Sequence, residues 1–293
     1  MNIGEKIREL RLAKLMTQAE LAGDHITRNM LSCIENGTAH PSLSTILYIA
    51  GRLNVPAGFL LADAGDEIVY RKMNSMANIK QAYRVGDVWG CRSLCLSGCP
   101  DPDDEICLLL ADCDAGIAVE EFWKGRLRSA CRFFDEALDY AEKTIYHTEH
   151  IEAQARLYFR YMRRISATLY SDVLDEEREL TLRFDSPFSA YIEVLEALDE
   201  GDRSLAAAYA EREEDSFFVT HIRIKLLMEQ GDFAAAKELL LELLRAEEPL
   251  HEVSLYAVLC ELEICCRETE DFKGAYTYAN DKLQLLEELL KEA

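Results

Sequence analysis

Four side chains that can form hydrogen bonds lie within one six-residue stretch of the chain. They are Arg28, Asn29, Ser32 and Cys33. Leu31 and Ile34 lie between and beside them at helical spacing, which places the polar residues on the outer side of a short helix. Arginine forms two hydrogen bonds to guanine, and asparagine two to adenine, when such a helix lies in the major groove of DNA. The pattern therefore indicates a helix that reads base edges with its N-terminal end.

Capping and turn residues on both sides position this helix. Thr17 and Glu20 have the spacing of a capping box, which predicts the start of a first short helix. Gly23 supplies the turn that ends it. Thr27 caps the second helix, and Gly37 closes that helix as a C-terminal glycine. The stretch is therefore predicted to form two short helices joined by a tight turn.

The series T-Q-x-E-L-A, a turn and T-R-x-x-L-S-x-I-E-N-G resembles the phage-repressor (Cro/CI, XRE) helix-turn-helix family over residues 1–62, with a shorter turn. The matching residues are Thr17, Gln18, Glu20, Leu21, Ala22, Arg28, Leu31, Ser32, Ile34, Glu35, Asn36 and Gly37. The resemblance implies that Gln18, Asn36 and Thr38 hold DNA phosphates. The whole expected DNA-binding set is Thr17, Gln18, Thr27, Arg28, Asn29, Ser32, Cys33, Asn36 and Thr38. The alternative is a helix-turn-helix that serves only for packing.

Net charge differs sharply between the two ends of the chain. The 293 residues carry a formal charge of −22, but residues 1–62 hold six Lys or Arg and five Asp or Glu. The other residues hold 26 Lys or Arg and 49 Asp or Glu, so the acidic part repels DNA phosphates. The N-terminal domain is expected to make the contacts to a double-stranded DNA operator. A homodimer is expected, because two recognition helices then reach half-sites about 34 Å apart.

Composition also indicates where the protein is located and whether its cysteines are oxidised. Apolar residues make up 49% of the chain, but no run of them is long enough to span a membrane, and no secretion signal opens the sequence. We therefore expect no membrane partner and a cytoplasmic location. The ten cysteines are expected to be reduced and to serve as small buried residues.

The N-terminal domain is predicted to contain five helices. The first helix has its inward positions at Ile3, Ile7, Leu10 and Leu15. Its basic residues, which either contact phosphate or face solvent, are Lys6, Arg8, Arg11 and Lys14. Ser42 caps a fourth helix, whose inward positions are Leu43, Ile46, Leu47, Ala50 and Leu53. Pro56 begins a fifth helix that carries Phe59 and Leu60. Residues 1–62 form this domain, and a linker is predicted over residues 63–75.

Residues 76–293 show a weak internal repeat. A glycine precedes a small residue by five positions at Gly86 and Cys91, and the same offset recurs in later units. Those pairs are Gly125 and Ala130, Gly201 and Ala206, Gly231 and Ala236, and Glu270 and Ala275. One further unit without the glycine is predicted, with helices over residues 151–170 and 173–184. The units resemble the tetratricopeptide repeat, which implies an all-α protein with a solenoid of about five to six helix pairs.

The resemblance to this repeat places a mixed set of basic and aromatic residues on the groove-facing helices. The set is Lys80, Tyr83, Arg84, Arg160, Tyr161, Arg164, Tyr191, His221 and Lys225. Such residues suit a short peptide with an apolar body and a carboxylate end. The alternative for each of these residues is that it is an ordinary packed or solvated side chain with no ligand. The solenoid as a whole has the alternative of serving only for dimerisation.

Three cysteines raise the question of a metal or redox site. Cys91, Cys95 and Cys99 are close in sequence, but the repeat aligns Cys91 and Cys95 with packing positions of other units, and the gaps differ from a C-x-x-C hairpin. We therefore expect no metal. No phosphate-binding loop, zinc-protease motif or nucleophile elbow is present, so we expect neither a cofactor nor an enzyme.

The order of the two parts resembles the Rgg and PlcR type (RRNPP) of bacterial peptide-pheromone regulators. That resemblance implies a transcriptional regulator in which a short peptide binds the solenoid and changes how a dimer meets its operator. One alternative is a repressor whose solenoid only dimerises or docks a protein partner. Another is a redox or metal sensor that uses the cysteine cluster.

Overall fold

The computed structural model describes residues 2–62, 64–174, 185–213 and 216–291, with the backbone alone over residues 64–70. This part of the chain contains sixteen α-helices and no strand, which confirms the prediction of an all-α protein. The first five helices are α1 (Ile3–Ala13), α2 (Gln18–Ala22), α3 (Arg28–Glu35), α4 (Leu43–Leu53) and α5 (Ala57–Leu61). The others are α6 (Ala64–Arg84), α7 (Val88–Gly98), α8 (Asp104–Trp123), α9 (Leu127–Glu142), α10 (Glu149–Ile165), α11 (Pro187–Asp199), α12 (Arg203–Ala210), α13 (Phe217–Glu229), α14 (Phe233–Arg245), α15 (Glu252–Glu268) and α16 (Phe272–Leu289).

The chain divides into two compact units, Met1–Pro102 and Asp103–Ala293. The first unit holds α1 to α7, and the second holds α8 to α16. The linker was predicted over residues 63–75, whereas α6 begins at Ala64 and continues to Arg84. Most of the predicted linker is therefore helical.

The predicted caps of the short helices are present. The Thr17 hydroxyl accepts a hydrogen bond from the Glu20 amide at 3.1 Å, and the Glu20 carboxylate accepts one from the Thr17 amide at 2.7 Å. The Thr27 hydroxyl accepts a hydrogen bond from the Met30 amide at 3.1 Å and so begins α3. These bonds satisfy backbone donors that a helix start otherwise leaves unpaired.

The core of the first five helices contains the residues that the periodicity predicts, except for three leucines that are exposed. Ile7, Ile34 and Leu53 are buried as expected from their spacing. Leu15 is 92% exposed, because its φ of 55° places it in the turn after α1 has ended. Two leucines of α4 are also exposed, because the inward face of that helix is centred on Ile46, Ile49, Ala50 and Leu53. They are Leu43, at 64%, and Leu47, at 55%.

A recurring glycine turn joins the two helices of four repeat pairs. Gly86, Gly125, Gly201 and Gly231 have φ values of 75°, 73°, 87° and 81°, in the left-handed region that favours glycine. The backbone amide of the residue after each glycine donates a hydrogen bond to the carbonyl oxygen five residues before it. In one example, the Asp232 amide donates to the Leu227 carbonyl at 2.9 Å. Five residues beyond each glycine, the small side chain is fully buried, which confirms the predicted offset. These side chains are Cys91, Ala130, Ala206 and Ala236.

One predicted repeat pair is only partly described. Its first helix was expected over residues 151–170 and is observed as α10 (Glu149–Ile165). Its second helix was expected over residues 173–184, of which residues 175–184 lie outside the described residues.

The second unit curves until its first helix pair meets its last. Helix α8 packs against α15, and the Arg128 guanidinium of α9 donates to the Leu290 carbonyl, at the end of α16, at 2.7 Å. The inner surface of the repeats is therefore enclosed by helices from both ends of this unit.

Glu270 has a φ of 61° at the position where the other turns have glycine. Replacing Glu270 by Gly is expected to stabilise the last helix pair by roughly 0.5–1 kcal/mol, because a left-handed backbone strains residues that have a Cβ. The free energy of unfolding of the full chain in urea measures this change. Replacement of Gly231 by Ala is the matched control and should destabilise, and equal effects of both changes would contradict the prediction.

Candidate DNA-reading surface and ligand groove

The outer face of α3 carries the side chains predicted to read DNA. Arg28, Asn29 and Cys33 are exposed, and Ser32 is half-buried. Leu31 and Ile34 are buried on the opposite side of the helix. Among the flanking residues of the predicted set, Thr17, Thr27, Asn36 and Thr38 are exposed. The structure therefore brings a short polar row together at the surface of the first unit.

Glu35, at the end of α3, is buried and joins three helices. Its carboxylate accepts hydrogen bonds from Arg11 of α1, at 2.7 and 3.0 Å. The Gln18 side chain of α2 donates a third at 2.8 Å. Burial alone would raise the pKa of Glu35, but these hydrogen bonds and the charge of Arg11 outweigh it, so the pKa lies below its usual range. Glu35 therefore remains ionised at neutral pH and keeps α3 in place.

A close backbone approach also fixes α3 against α1. A Cβ placed on Gly4 would lie 2.1 Å from the Ile34 carbonyl oxygen. Only glycine allows α1 and α3 to come this near.

The inner surface of the second unit is filled by an aromatic cluster. We use that name for Phe122, Trp123, Tyr158, Tyr161, Phe188, Tyr191, Phe217, Phe218 and His221, whose rings pack against one another. Ring centroids are 4.9 Å apart for Phe122 and Tyr158, and 4.8 Å apart for Tyr191 and Phe218. Most of the cluster is buried, so it forms the core between α8, α10, α11 and α13.

An open pocket lies at one edge of the aromatic cluster. Its volume is about 590 Å³, and its exposed surface is mainly apolar. The lining residues are Val119, Glu120, Trp123, Lys124, Ser216, Phe217, Phe218, His251 and Ser254. They come from the end of α8 and from the starts of α13 and α15.

Comparison with known proteins assigns the first part of the chain. Residues 7–60 match the helix-turn-helix family model HTH_3. This segment is an XRE-type helix-turn-helix domain. None of the curated proteins compared with the chain matches it.

Two solved structures are similar to the chain at low identity. Bacillus thuringiensis PlcR in complex with the peptide PapR7 and DNA is 14% identical over 99% of each chain, with a TM-score of 0.22. ComR from S. thermophilus in complex with DNA and its signalling peptide ComS is 15% identical over 97% of this chain and 99% of that chain, with a TM-score of 0.23. TM-scores this low place no residue of this chain in a peptide site or a dimer interface.

Two basic residues of the helix-turn-helix domain that were considered as phosphate contacts are structural. Lys6 is buried, and its ammonium group donates to the carbonyls of Phe59, at 3.3 Å, and Ala62, at 2.7 Å. Arg11 is held by Glu35 and donates a further hydrogen bond to the Met16 carbonyl at 2.9 Å. The spacing of α1 did not reveal this, because each partner lies in another helix or loop.

Some residues of the predicted DNA-binding set also hold the helix-turn-helix domain together. The Gln18 amide group is engaged by Glu35, as described above. The Thr38 hydroxyl donates to the Cys33 carbonyl at 3.0 Å, which closes the turn after α3. Arg28 and Asn29 are exposed on the outer face of α3, so they are the residues best placed to contact bases.

The predicted groove residues are divided between core and surface. Tyr161, Tyr191 and His221 are buried in the aromatic cluster, so their side chains do not line an open surface as predicted. Aromatic residues at helical spacing are more often core than ligand contacts, and here the enclosed inner surface buries them. Lys80, Tyr83 and Arg84 are exposed on α6, which belongs to the first unit.

The basic groove residues of the second unit are already paired with carboxylates. Arg160 and Arg164 of α10 form ion pairs with Glu196 and Asp199 of α11. Lys225 of α13 pairs with Glu261 of α15 at 3.0 Å. These ion pairs join neighbouring repeat pairs, so a peptide carboxylate would have to compete with them for the three cations.

Burial shifts the pKa values of two residues of the aromatic cluster, His221 and Tyr191. Burial lowers the pKa of His221 to about 3, with further lowering by the charges of Lys225 and Arg164. Its Nδ1 atom lies 2.8 Å from the Tyr191 hydroxyl, and burial raises the pKa of Tyr191. His221 is therefore neutral at physiological pH. Because the unfolded chain binds the proton more readily, His221 reduces stability as the pH falls below about 6.5.

The pocket beside Trp123 was missed by sequence reasoning. The doublet of Phe217 and Phe218 at the start of α13, and Trp123 just before the Gly125 turn, were the available signals. Neither belongs to the groove positions of the repeat, and only the packing of α8, α13 and α15 around the pocket brings them together.

The cysteines of α7 lie in packing positions. Cys91, Cys95 and Cys99 are buried, and Cys91 Sγ lies 3.7 Å from the Ile79 carbonyl oxygen. Across the described ranges, no three His, Cys, Asp or Glu side chains are arranged to hold a metal ion. The same residues include no helix with the length and hydropathy needed to cross a membrane.

Replacing Glu35 by Ala is expected to destabilise the helix-turn-helix domain by about 3–5 kcal/mol, because it leaves the Arg11 charge buried without its partner. Hydrogen exchange of the amides of α1 to α3 in the full chain measures the change. Replacement of the exposed Glu9 by Ala is the matched control and should shift stability by no more than about 0.5 kcal/mol. Similar exchange rates in the two variants would refute the assigned role of Glu35.

Proposed function

We propose that this protein is a transcriptional regulator that binds operator DNA as a homodimer and whose second unit binds a short signalling peptide that controls DNA binding. The helix-turn-helix domain carries the DNA-binding part of this function. The peptide-binding part rests on one observation, the apolar pocket of about 590 Å³ at the edge of the aromatic cluster. We place this activity in the cytoplasm, where the operator is located.

Charge supports the proposed division of labour. The unit Met1–Pro102 holds 11 Lys or Arg and ten Asp or Glu, whereas Asp103–Ala293 holds 21 and 44. The second unit repels DNA, so contacts to phosphates and bases fall to the first. Arg28 is assigned to guanine and Asn29 to adenine, with Thr17, Gln18, Thr27, Ser32, Cys33, Asn36 and Thr38 as further contacts.

The exposed face of α16 supports a homodimer. Phe272, Tyr276 and Leu283 are 69%, 72% and 55% exposed on one side of this helix. A solenoid normally ends in a polar face, because no further repeat covers its last helix. We assign this apolar face to contact with a second copy, which doubles the set of DNA contacts.

Control by a peptide requires that the peptide bind one dimer geometry better than another. A ligand with equal affinity for both geometries shifts neither population. The contact between α8 and α15 is a suitable element, since the pocket is lined by residues of both helices.

The uncovered α16 face also favours a second candidate function. In this alternative the second unit docks a different protein, and DNA binding does not respond to any peptide. A protein that co-purifies in fixed ratio would favour this alternative.

Replacing Arg28 and Asn29 together by Ala is expected to remove sequence preference, because each base contact contributes about 1–3 kcal/mol of discrimination. Footprinting on DNA upstream of the protein's own gene, at fixed salt, measures the preference. The control Arg28→Lys keeps the charge but loses the two-pronged geometry, so it should retain nonspecific affinity and lose preference only at the base that Arg28 reads. Unchanged footprints would show that α3 is not the reading helix.

The proposal that a peptide controls DNA binding is tested by measuring operator binding with and without the small-peptide fraction of the source culture. A change in affinity or footprint that protease treatment of the fraction abolishes supports the proposal. Identical binding under all conditions would overturn it and favour the docking alternative.

Replacing Tyr276 by Glu is expected to shift dimers toward monomers, because a charge in an apolar interface has to be desolvated. Sedimentation velocity over a range of protein concentrations measures the shift. The control Gln284→Glu adds the same charge to the polar side of α16 and should leave the dimer intact. Equal behaviour of the two variants would exclude this face as the dimer interface.

A further inference from the structure

We propose that the pocket beside Trp123 accepts one large apolar side chain from a ligand whose neighbouring residues are neutral or positively charged. The peptide nature of the ligand rests on the function proposed above. The shape of the pocket supports the first part of this inference, and the distribution of charge around it supports the second.

The walls of the pocket are suited to a single bulky apolar group. The centroid of the Trp123 ring lies 6.3 Å from that of Phe218 and 5.2 Å from that of His251, at tilted angles. Val119 adds an aliphatic wall, and the exposed lining is mainly apolar. The volume of about 590 Å³ lies within the range of about 300–1,000 Å³ that is typical of ligand pockets, so the pocket has room for one bulky side chain together with neighbouring atoms of the ligand.

The charged residues that line the pocket do not favour an anionic ligand. Lys124 is the one Lys or Arg of the lining, and it already pairs with Glu120, at 3.1 Å, and with Glu121, at 3.5 Å. Arg126, beyond the adjoining turn, also pairs with Glu121, at 3.3 Å. A carboxylate in the pocket would therefore have to compete with existing ion pairs.

Acidic residues that are close in the chain to the pocket residue His251 favour a cation. Glu247, Glu248 and Glu252 are exposed and lie within four positions of His251 in the chain. Within the described residues, none of the three forms an ion pair with a lysine or arginine. The second unit as a whole carries 44 Asp or Glu against 21 Lys or Arg. This distribution favours a cationic ligand, whereas the repeat predicted a peptide that binds through a carboxylate end.

A ligand in the pocket can also stabilise the packing between two helix pairs of the second unit. Trp123 belongs to α8 and His251 adjoins α15, and these helices come from the first and last pairs of the second unit. A side chain that contacts both residues stabilises the packing of the two pairs. Ligand that binds only this arrangement raises the melting temperature with increasing concentration.

The direct test uses the fluorescence of Trp123. The chain has two tryptophans, so the full-length Trp89→Phe variant leaves Trp123 as the sole emitter. Four acetylated and amidated probe peptides are titrated into it. Each has a central residue flanked by two identical residues on either side: phenylalanine between lysines, between serines or between glutamates, and glycine between lysines.

The phenylalanine peptides with lysine and serine flanks are expected to change the Trp123 emission and to raise the melting temperature. The lysine-flanked peptide should bind about tenfold more tightly than the glutamate-flanked one at low salt, with a smaller difference at high salt. The glycine peptide should produce neither effect. Equal affinity for lysine and glutamate flanks, or equal binding of the glycine peptide, would overturn the proposal.

Two variants in the Trp89→Phe background locate the site. Val119→Phe fills the pocket and should weaken the lysine-flanked phenylalanine peptide at least tenfold. The double change Glu247→Lys and Glu248→Lys alters only exposed residues and should reduce the preference for lysine flanks over glutamate flanks. If the Val119 variant does not fold, the surface variant still decides the charge preference, and an unchanged preference contradicts the inference.

The outcomes separate this inference from the proposed function. Binding of the probe at Trp123 with no effect of the culture peptides on operator DNA would support the pocket and reject the regulator proposal. A response of DNA binding to culture peptides with no probe binding at Trp123 would support the regulator and reject this pocket.

Discussion

The Glu35 carboxylate holds three helices of the DNA-binding domain through hydrogen bonds from Arg11 and Gln18. Because Glu35 is the last residue of α3, this buried interaction sets the position of the helix that presents Arg28 and Asn29. Buried ion pairs contribute little net stability when complete but are costly when broken. The network therefore acts chiefly on geometry: it holds α3 in one orientation, and the base contacts proposed for Arg28 and Asn29 depend on that orientation.

The packing of the second unit depends on a helix pair that is repeated along the chain. Each glycine turn of this unit returns the chain so that a small residue five positions later is buried. Ion pairs such as that of Arg160 with Glu196 then join one pair to the next. The curvature of the repeats brings α8 against α15 and fills the inner surface with aromatic rings. Within the described residues, an open apolar pocket of about 590 Å³ lies at the edge of that surface.

The two units divide the physical requirements of a regulator between them. The first unit is nearly neutral in charge and exposes a polar row on α3, which suits contact with DNA. The second is strongly acidic and presents an apolar pocket and an apolar face on α16. Repulsion between the acidic unit and DNA leaves base recognition to the first unit, and it favours cationic partners for the second.

The sequence by itself determined the local features of this protein. The caps at Thr17 and Thr27, the glycine turns and the five-residue offset to a buried small residue could all be predicted, because each depends on backbone interactions within a few positions. Only the tertiary structure decided the roles of Lys6 and Arg11, the burial of Tyr161, Tyr191 and His221, and the pocket beside Trp123. Each depends on side chains that are distant in the chain, and periodicity shows which residues share a face but not what that face contacts.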